Sequence, residues 1–184
     1  AGSQNFRAGV NAGNSIASGG NYNVAVGNEA GNDITTGDEN IFIGYQAGGQ
    51  TTADYNIAIG HYAGQNTSAA GNTIMGYQAG YQYGTGPSNV IIGYTAGEAY
   101  RGGESVIIGH QAGYGHGTTD LTTSVLVGKD AGRFAKGARI TSVGGRAGTY
   151  VTGSDNTFIG YFAGYGASST SAPYGTGIGN TTLG

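Results

Sequence analysis

The sequence contains no cysteine and no tryptophan, and only two prolines among its 184 residues. Without cysteine, neither a disulfide framework nor a thiolate metal site can form. Charged residues make up 9% of the chain and the formal net charge is −3, so general binding to nucleic acid or to an anionic membrane is not expected. No apolar run approaches the ~20 residues that span a bilayer, so we expect no membrane insertion.

Glycine, in contrast, occurs 40 times, and this frequency alone would suggest a disordered chain of low complexity. The apolar residues argue for order, because they recur in phase within a nonapeptide. Each copy begins with Asn or a substitute, continues with a mainly apolar triplet and ends in G-x-x-A-G. A fixed period of this kind is typical of proteins built from stacked repeats.

The copies define one repeat domain over residues 1–184, because no change in composition marks a linker. Successive copies begin at nearly constant intervals, except for a clearly longer interval before the last copy. The predicted starting positions are 5, 23, 40, 56, 72, 89, 105, 124, 140, 156 and 180.

The triplet predicts a β-strand. Its third residue is always apolar, and its first residue is β-branched in every copy but one. Such alternation favours a short strand of about four residues, which the following glycine ends. Each repeat then forms one turn of an all-β parallel β-solenoid or β-roll, with a polar loop that has room for a second short strand. Roughly ten coils stacked about 4.8 Å apart give a rod about 50 Å long, and both hands of winding fit this pattern.

Asparagine opens most copies, and we expect these side chains to form a hydrogen-bonded ladder along the rod instead of binding a ligand. Ser105 and Ser124 play a weaker version of the same role, and Ile140 interrupts the ladder. The asparagines are Asn5, Asn23, Asn40, Asn56, Asn72, Asn89, Asn156 and Asn180.

The middle residue of the triplet points away from the other two, and it is apolar in most copies. On an isolated coil these residues would form an exposed apolar stripe, which either another layer of the same coil or other chains must cover. A homotrimer around the rod axis would bury the stripe. The candidate residues of this oligomer interface are Phe42, Ile74, Ile91, Ile107, Leu126 and Phe158.

The units NIAIGHYAG, NVIIGYTAG and NTFIGYFAG resemble the N-T-x-I-G-x-x-A-G repeats common in phage tail-fibre and bacterial tail-fibre-domain proteins. They are also similar to the S-V-A-I-G-x-x-A-x-A repeats in the heads of trimeric autotransporter adhesins. The resemblance covers essentially the whole chain. The adhesin heads imply a trimer of left-handed parallel β-rolls with a role in surface attachment, located outside the cell, on its surface or on a virion. This chain departs from them in its A-G ending and its longer loops.

Catalytic motifs are absent: the sequence has no G-x-S-x-G, no G-x-x-x-x-G-K-[ST] and no H-E-x-x-H. His61 and His110 follow the strand glycine, where other copies have tyrosine, so we expect a stack of aromatic rings along the rod. His116 lies in a loop, and three histidines without common spacing do not predict a metal site. We therefore expect neither enzymatic activity nor a metal or other cofactor.

Two sets of loop residues are candidates for binding a cell-surface glycan. Aromatic rings stack on sugars, although tyrosine also favours packing between chains. The candidate tyrosines are Tyr81, Tyr83, Tyr100, Tyr114, Tyr165 and Tyr174. Five of the seven basic residues form one cluster, which either contacts an anionic polysaccharide or is simply a solvated band. The cluster comprises Lys129, Arg133, Lys136, Arg139 and Arg146.

These patterns predict a non-enzymatic extracellular fibre module, homotrimeric, that serves as a shaft or an adhesive head. The alternative is a structural filament subunit whose protomers join head to tail, because an exposed terminal coil offers an unpaired strand edge. An ice-binding solenoid is a third hypothesis, but it needs a regular threonine array, and no column of the repeat is uniformly threonine.

Overall fold

The computed structural model describes residues 2–16, 19–49, 53–82, 86–115, 121–166 and 176–178. These residues contain no helix, and their regular structure consists of eleven strands of three residues each. The strands are β1 (Phe6–Ala8), β2 (Val24–Val26), β3 (Ile41–Ile43), β4 (Ile57–Ile59), β5 (Thr73–Met75), β6 (Val90–Ile92), β7 (Val106–Ile108), β8 (Val125–Val127), β9 (Thr141–Val143), β10 (Thr157–Ile159) and β11 (Thr176–Ile178).

All eleven strands belong to one parallel sheet, in the order of the sequence. Each strand pairs with the next so that equivalent triplet positions lie side by side; Ile57 pairs with Thr73, for example, and Ile59 with Met75. The chain therefore completes one coil between successive strands, and the fold is a parallel β-solenoid. This confirms the predicted fold class, although each strand is one residue shorter than expected.

The last strand differs from the prediction. Strand β11 (Thr176–Ile178) pairs with β10, and Thr176 lies beside Thr157. The interval between these two threonines is the same as that between Val106 and Val125, which are paired earlier in the sheet. The long interval before the last copy is therefore an artefact of placing the eleventh copy at Asn180, which itself lies outside the described residues. The repeat pattern does not indicate this strand, because Gly177 occupies its middle position, where most copies have an apolar residue.

The interior of the coil is formed by the middle strand residues and by the alanine of G-x-x-A-G. Ala25, Phe42 and Ile91 are at most 1% exposed, and the alanines Ala47 and Ala96 are completely buried. Loop side chains such as Ile34 and Leu121 fill the rest of the same core cluster. The core is narrow: one large strand residue and, in several coils, one large loop residue pack beside a column of alanine and glycine, as Ile107 and Leu121 do in one coil.

The prediction that the middle residues form an interface between chains is wrong. All six candidates are at most 2% exposed in the isolated chain, because the turns and loops of their own coils cover them. The Cβ position of Gly48, for example, would lie 2.6 Å from Cγ of Phe42, so this turn packs directly on the ring. The six residues are Phe42, Ile74, Ile91, Ile107, Leu126 and Phe158.

The asparagine ladder is confirmed. The side-chain oxygen of Asn56 accepts a hydrogen bond from the backbone N–H of Asn72 at 3.0 Å, and that of Asn72 accepts one from the N–H of Asn89 at 2.9 Å. The series continues through Ser105 to Ser124, whose backbone N–H donates to the Ser105 hydroxyl. These side chains are buried, so the ladder satisfies backbone donors that water cannot reach.

Candidate functional surfaces

The outward side of the sheet carries the first and third residues of each strand, and we call it the outer sheet face. Its side chains are half-buried or exposed; Ile43 is 38% and Ile159 is 44% exposed. Apart from the threonines, they are apolar throughout strands β2 to β10. The first column is Val24, Ile41, Ile57, Thr73, Val90, Val106, Val125, Thr141 and Thr157, and the second is Val26, Ile43, Ile59, Met75, Ile92, Ile108, Val127, Val143 and Ile159.

Parallel pairing makes this face continuous. Nine strands about 4.8 Å apart extend for about 40 Å, and two residues along a strand span about 6.6 Å. With the side chains included, the face measures about 40 Å by about 10 Å, or about 400 Å². Apolar patches of this size on a protein surface are often functional. The apolar stripe predicted from the sequence therefore exists, but residues one and three form it.

A stack of aromatic rings runs beside strands β3 to β7, with one ring two residues after the end of each of these strands. The ring centroids of Tyr45, His61, Tyr77, Tyr94 and His110 are 5.0 to 5.3 Å apart, and neighbouring rings are inclined by 9° to 26°. This confirms the predicted stacking. The spacing is close to that of the strands, so each ring covers the face of the next. The inner rings consequently present their edges to solvent, and a sugar has no free ring face to stack on.

The tyrosines proposed as glycan contacts lie in different environments. Tyr100 is completely buried, and its hydroxyl lies 2.7 Å from the Ser105 hydroxyl and donates to the carbonyl of Leu121. The glycan prediction for Tyr100 is therefore wrong: it is a core residue whose polar end is satisfied internally. Tyr81 is half-buried, with its ring 5.2 Å from that of Tyr62.

Tyr114 and Tyr165 are half-buried and belong to one aromatic and basic region beside strands β8 to β10. The Tyr114 ring lies 5.3 Å from the Arg133 guanidinium carbon, and the Tyr165 ring packs edge to face with Tyr150 at 5.9 Å. The remaining two candidates, Tyr83 and Tyr174, lie outside the described residues, as does His116.

A cavity of about 120 Å³ opens in this region, and we call it the basic–aromatic cavity. Asp130 and Arg146 line it from the third position of G-x-x-A-G in successive coils, and Arg133 and Thr149 follow them at equivalent positions further along each coil. Asp130 is buried, with both arginines close to its carboxylate. The residues that line the cavity are Asp130, Arg133, Arg146, Thr149, Tyr150 and Tyr165.

The sequence patterns predict only part of this cavity. They indicate Arg133 and Arg146 as members of a basic cluster and Tyr165 as a loop tyrosine, but not Asp130, Thr149 or Tyr150. The usable signal was the repeat itself, because equivalent residues of successive copies become neighbours when the coils stack. The structure pairs a third cluster member, Arg139, with Asp155 at 2.5 Å, in a separate exposed ion pair.

Among the residues that the structure describes, three ionisable groups have pKa values shifted by their surroundings, and two of the shifts come from contact between neighbouring coils. A hydrogen bond with the Tyr62 side chain raises the pKa of Tyr45. A hydrogen bond from Arg139 lowers the pKa of Asp155, and burial raises the pKa of Glu98. Within the described part of the chain, no three His, Cys, Asp or Glu side chains lie close enough together to hold a metal ion.

The same described residues include no helix long and apolar enough to cross a membrane. No family model, no curated protein and no solved structure matches this chain. The likeness to tail-fibre and adhesin repeats therefore rests on the repeat motif alone and stays a prediction. The structure shows a β-solenoid with three surface features: an apolar sheet face, an aromatic stack and a basic–aromatic cavity.

Proposed function

We propose that the protein is a non-enzymatic extracellular fibre module, a shaft or adhesive head for surface attachment, that assembles as a homotrimer through its outer sheet face. The observation that carries this proposal is the continuous apolar surface of that face. Residues such as Ile43, Ile59 and Ile92 lie in register on consecutive or nearby strands and stand outside the buried core cluster. A second copy of the same surface removes these side chains from water.

The apolar character of the face, more than its area, supports self-association. Three chains that bury about 400 Å² each remove about 1,200 Å² from solvent, or about 400 Å² at each of three pairwise interfaces. Each interface is smaller than the ~1,000 Å² of a specific two-chain interface, so the assembly needs all three contacts at once. A threefold axis parallel to the rod brings three identical flat faces together and leaves the loops on the outside. The number three follows from the resemblance to the adhesin heads.

The architecture also supports a role as a fibre. The repeat residues of each coil contact the coils before and after it, through the asparagine ladder, the aromatic stack and the sheet. Stability of such a solenoid accumulates along its length as a sum of contacts between neighbouring coils. The result is an elongated body that carries its variable loops on the outside, where they are available to contact another surface.

Measurement of the mass in solution tests the assembly. We expect the purified chain to behave as a trimer of about 55 kDa, three times the chain mass of 18.3 kDa. The double substitution Ile59→Lys and Ile92→Lys places charges on the outer sheet face and should yield a folded monomer, because burying an unpaired charge is costly. A matched control, Thr35→Lys with Thr36→Lys, adds the same charge to an exposed loop and should stay trimeric.

Circular dichroism of the variants shows whether they keep the β-fold of the unmodified chain. A monomeric unmodified protein would contradict the proposed assembly, and so would a trimer that survives both lysines on the face. A stable dimer would retain the face as an interface but refute the threefold arrangement. Polymers that lengthen with concentration and persist in the lysine variant would instead support the head-to-tail filament.

A further inference from the structure

We propose that the basic–aromatic cavity binds the carboxylate and a neighbouring hydroxyl of an acidic sugar, such as a uronic acid. The inference deepens the proposed role in surface attachment, and it rests on that role for its biological meaning. The binding itself is a property of residues within one chain. It can therefore be measured whether or not the chain forms a trimer.

Two guanidinium groups supply the positive charge of the cavity. Nη1 of Arg133 lies 3.9 Å from Oδ1 of Asp130, and Nε of Arg146 lies 3.6 Å from Oδ2. Both separations exceed a hydrogen bond, so the single carboxylate attracts the two arginines without occupying their donors. The buried Nε–H of Arg133 has no hydrogen-bond partner among the described residues. An unoccupied guanidinium edge binds a planar carboxylate well, because it can donate two parallel hydrogen bonds to the two carboxylate oxygens.

The same cavity contains an unused acceptor. Oδ1 of Asp130 is buried and also has no hydrogen-bond partner in the described part of the chain. The Thr149 hydroxyl is already directed at the backbone carbonyls of Asp130 and Arg146, at 2.9 and 3.0 Å. A buried polar atom without a partner is costly, and a ligand hydroxyl that donates to Asp130 removes that cost. Donor and acceptor side by side match a sugar that carries both a carboxylate and a hydroxyl.

Aromatic rings form the wall of the cavity. The Tyr150 ring stacks on Phe134 at 5.3 Å and is 36% exposed, and Tyr165 meets it edge to face. The Arg133 guanidinium carbon lies 4.7 Å from the centroid of the Phe134 ring, which helps to fix its orientation. The cavity volume of about 120 Å³ admits the carboxylate and hydroxyl, while the rest of the sugar lies along the exposed part of Tyr150.

Long-range charge favours an acidic ligand at this place. Residues 121–166 carry five basic and two acidic side chains, a net charge of +3, whereas the remainder of the chain carries two basic and eight acidic ones, a net charge of −6. The field of the basic segment attracts any anion and does not by itself select a sugar. Selection depends on the cavity, and the experiment has to separate these two effects.

Binding is tested with tetragalacturonic acid as the probe, titrated into the unmodified protein and followed by calorimetry or NMR shifts. We expect saturable binding, and we expect Arg146→Gln and Arg133→Gln each to weaken it about tenfold or more, because each removes charge-assisted hydrogen bonds. The matched control is Arg139→Gln, which removes the same charge from the same segment outside the cavity and should change the affinity less than about twofold. Circular dichroism checks that each variant is folded.

Two further ligands sharpen the result. The methyl ester of the same oligosaccharide lacks the charge and should not bind measurably, and acetate lacks the sugar and should bind far more weakly than the acid. The proposal is overturned if tetragalacturonic acid does not bind, if Arg139→Gln weakens binding as much as Arg146→Gln, or if ester or acetate binds as well as the acid. A trimer that does not bind the acid would refute the binding site but not the proposed assembly. A monomer that binds the acid would refute the assembly but not the binding site.

Discussion

The glycine that ends each strand lets the backbones of successive coils meet at one corner. Gly60 has a φ of 135°, and the position of its missing Cβ lies 2.5 Å from the carbonyl oxygen of Gly76 in the next coil. Gly44 stands in the same relation to Gly60. A side chain at this point would collide with backbone that cannot move without separating the coils.

We therefore expect Gly60→Ala to destabilise the fold by about 2–4 kcal/mol, through the collision and the unfavourable φ together. Gly19→Ala separates the two causes. Gly19 has a φ of 127°, but the nearest atom to its Cβ position is Cγ2 of Thr36 at 3.8 Å. That variant should lose only about 1 kcal/mol. Denaturant unfolding measures both, and equal losses would show that contact between the coils is not the cause.

Other left-handed residues in the coil were not predictable from their identity. Gln46 and Thr95 have φ values of 50° and 48°, and Tyr55 has a φ of 61°. Glutamine, threonine and tyrosine do not favour this conformation, and a threonine there is strained. The backbone N–H of Gln46 donates to the carbonyl of Asn28 in the preceding coil at 3.0 Å. Bonding between coils thus imposes a conformation that local preference does not indicate.

At the scale of one strand, the sequence predicts the alternation of side chains but not which side is the interior. Ile57 and Ile59 point outwards and Ala58 inwards, yet all three are apolar. Strands in parallel sheets often read as apolar on both faces, so hydrophobicity alone cannot distinguish the two sides. The alanine and glycine columns of the turn decide the question, because they leave narrow space beside the middle residue. This is why the interface candidates proved to be core residues.

The asparagine column joins one strand start to the next, and Asn72 stands in its middle. Its side-chain oxygen accepts from both the backbone and the side chain of Asn89. We expect Asn72→Ala to cost about 2–3 kcal/mol, because it leaves a buried backbone N–H unsatisfied. Asn72→Ser should cost clearly less, since Ser105 shows that a hydroxyl in this column accepts the next N–H.

Thermal and denaturant unfolding of both variants measures this difference. Equal destabilisation by alanine and serine would indicate that loss of side-chain packing, and not the missing acceptor, explains the effect. If neither variant is destabilised, the asparagine ladder does not contribute to the stability of the fold.

For the whole molecule, the repeat period was sufficient to predict the architecture, because each copy must pack on its neighbours to bury its apolar residues. It was not sufficient to predict the basic–aromatic cavity. The period places Asp130 beside Arg146 of the next coil, with Arg133 three residues after Asp130, but it does not indicate the cavity or the unpaired donor and acceptor, which depend on side-chain conformation. The eleventh strand was misplaced for a similar reason, since Gly177 removes the apolar pattern while the sheet pairing persists.

Successive repeats lie directly above one another in register, and every other feature described for this molecule depends on that stacking. Nuclear Overhauser contacts between backbone protons in isotopically labelled protein test it most directly. We expect contacts from Ile57 to Asn72 and Thr73 in the next coil and equivalent contacts between all the remaining pairs of neighbouring strands. We expect none between Ile41 and Thr73, which lie two coils apart. An unbroken series of helical contacts through the strand segments, or contacts between strands that are not consecutive in the sequence, would show that the repeats do not stack in this way.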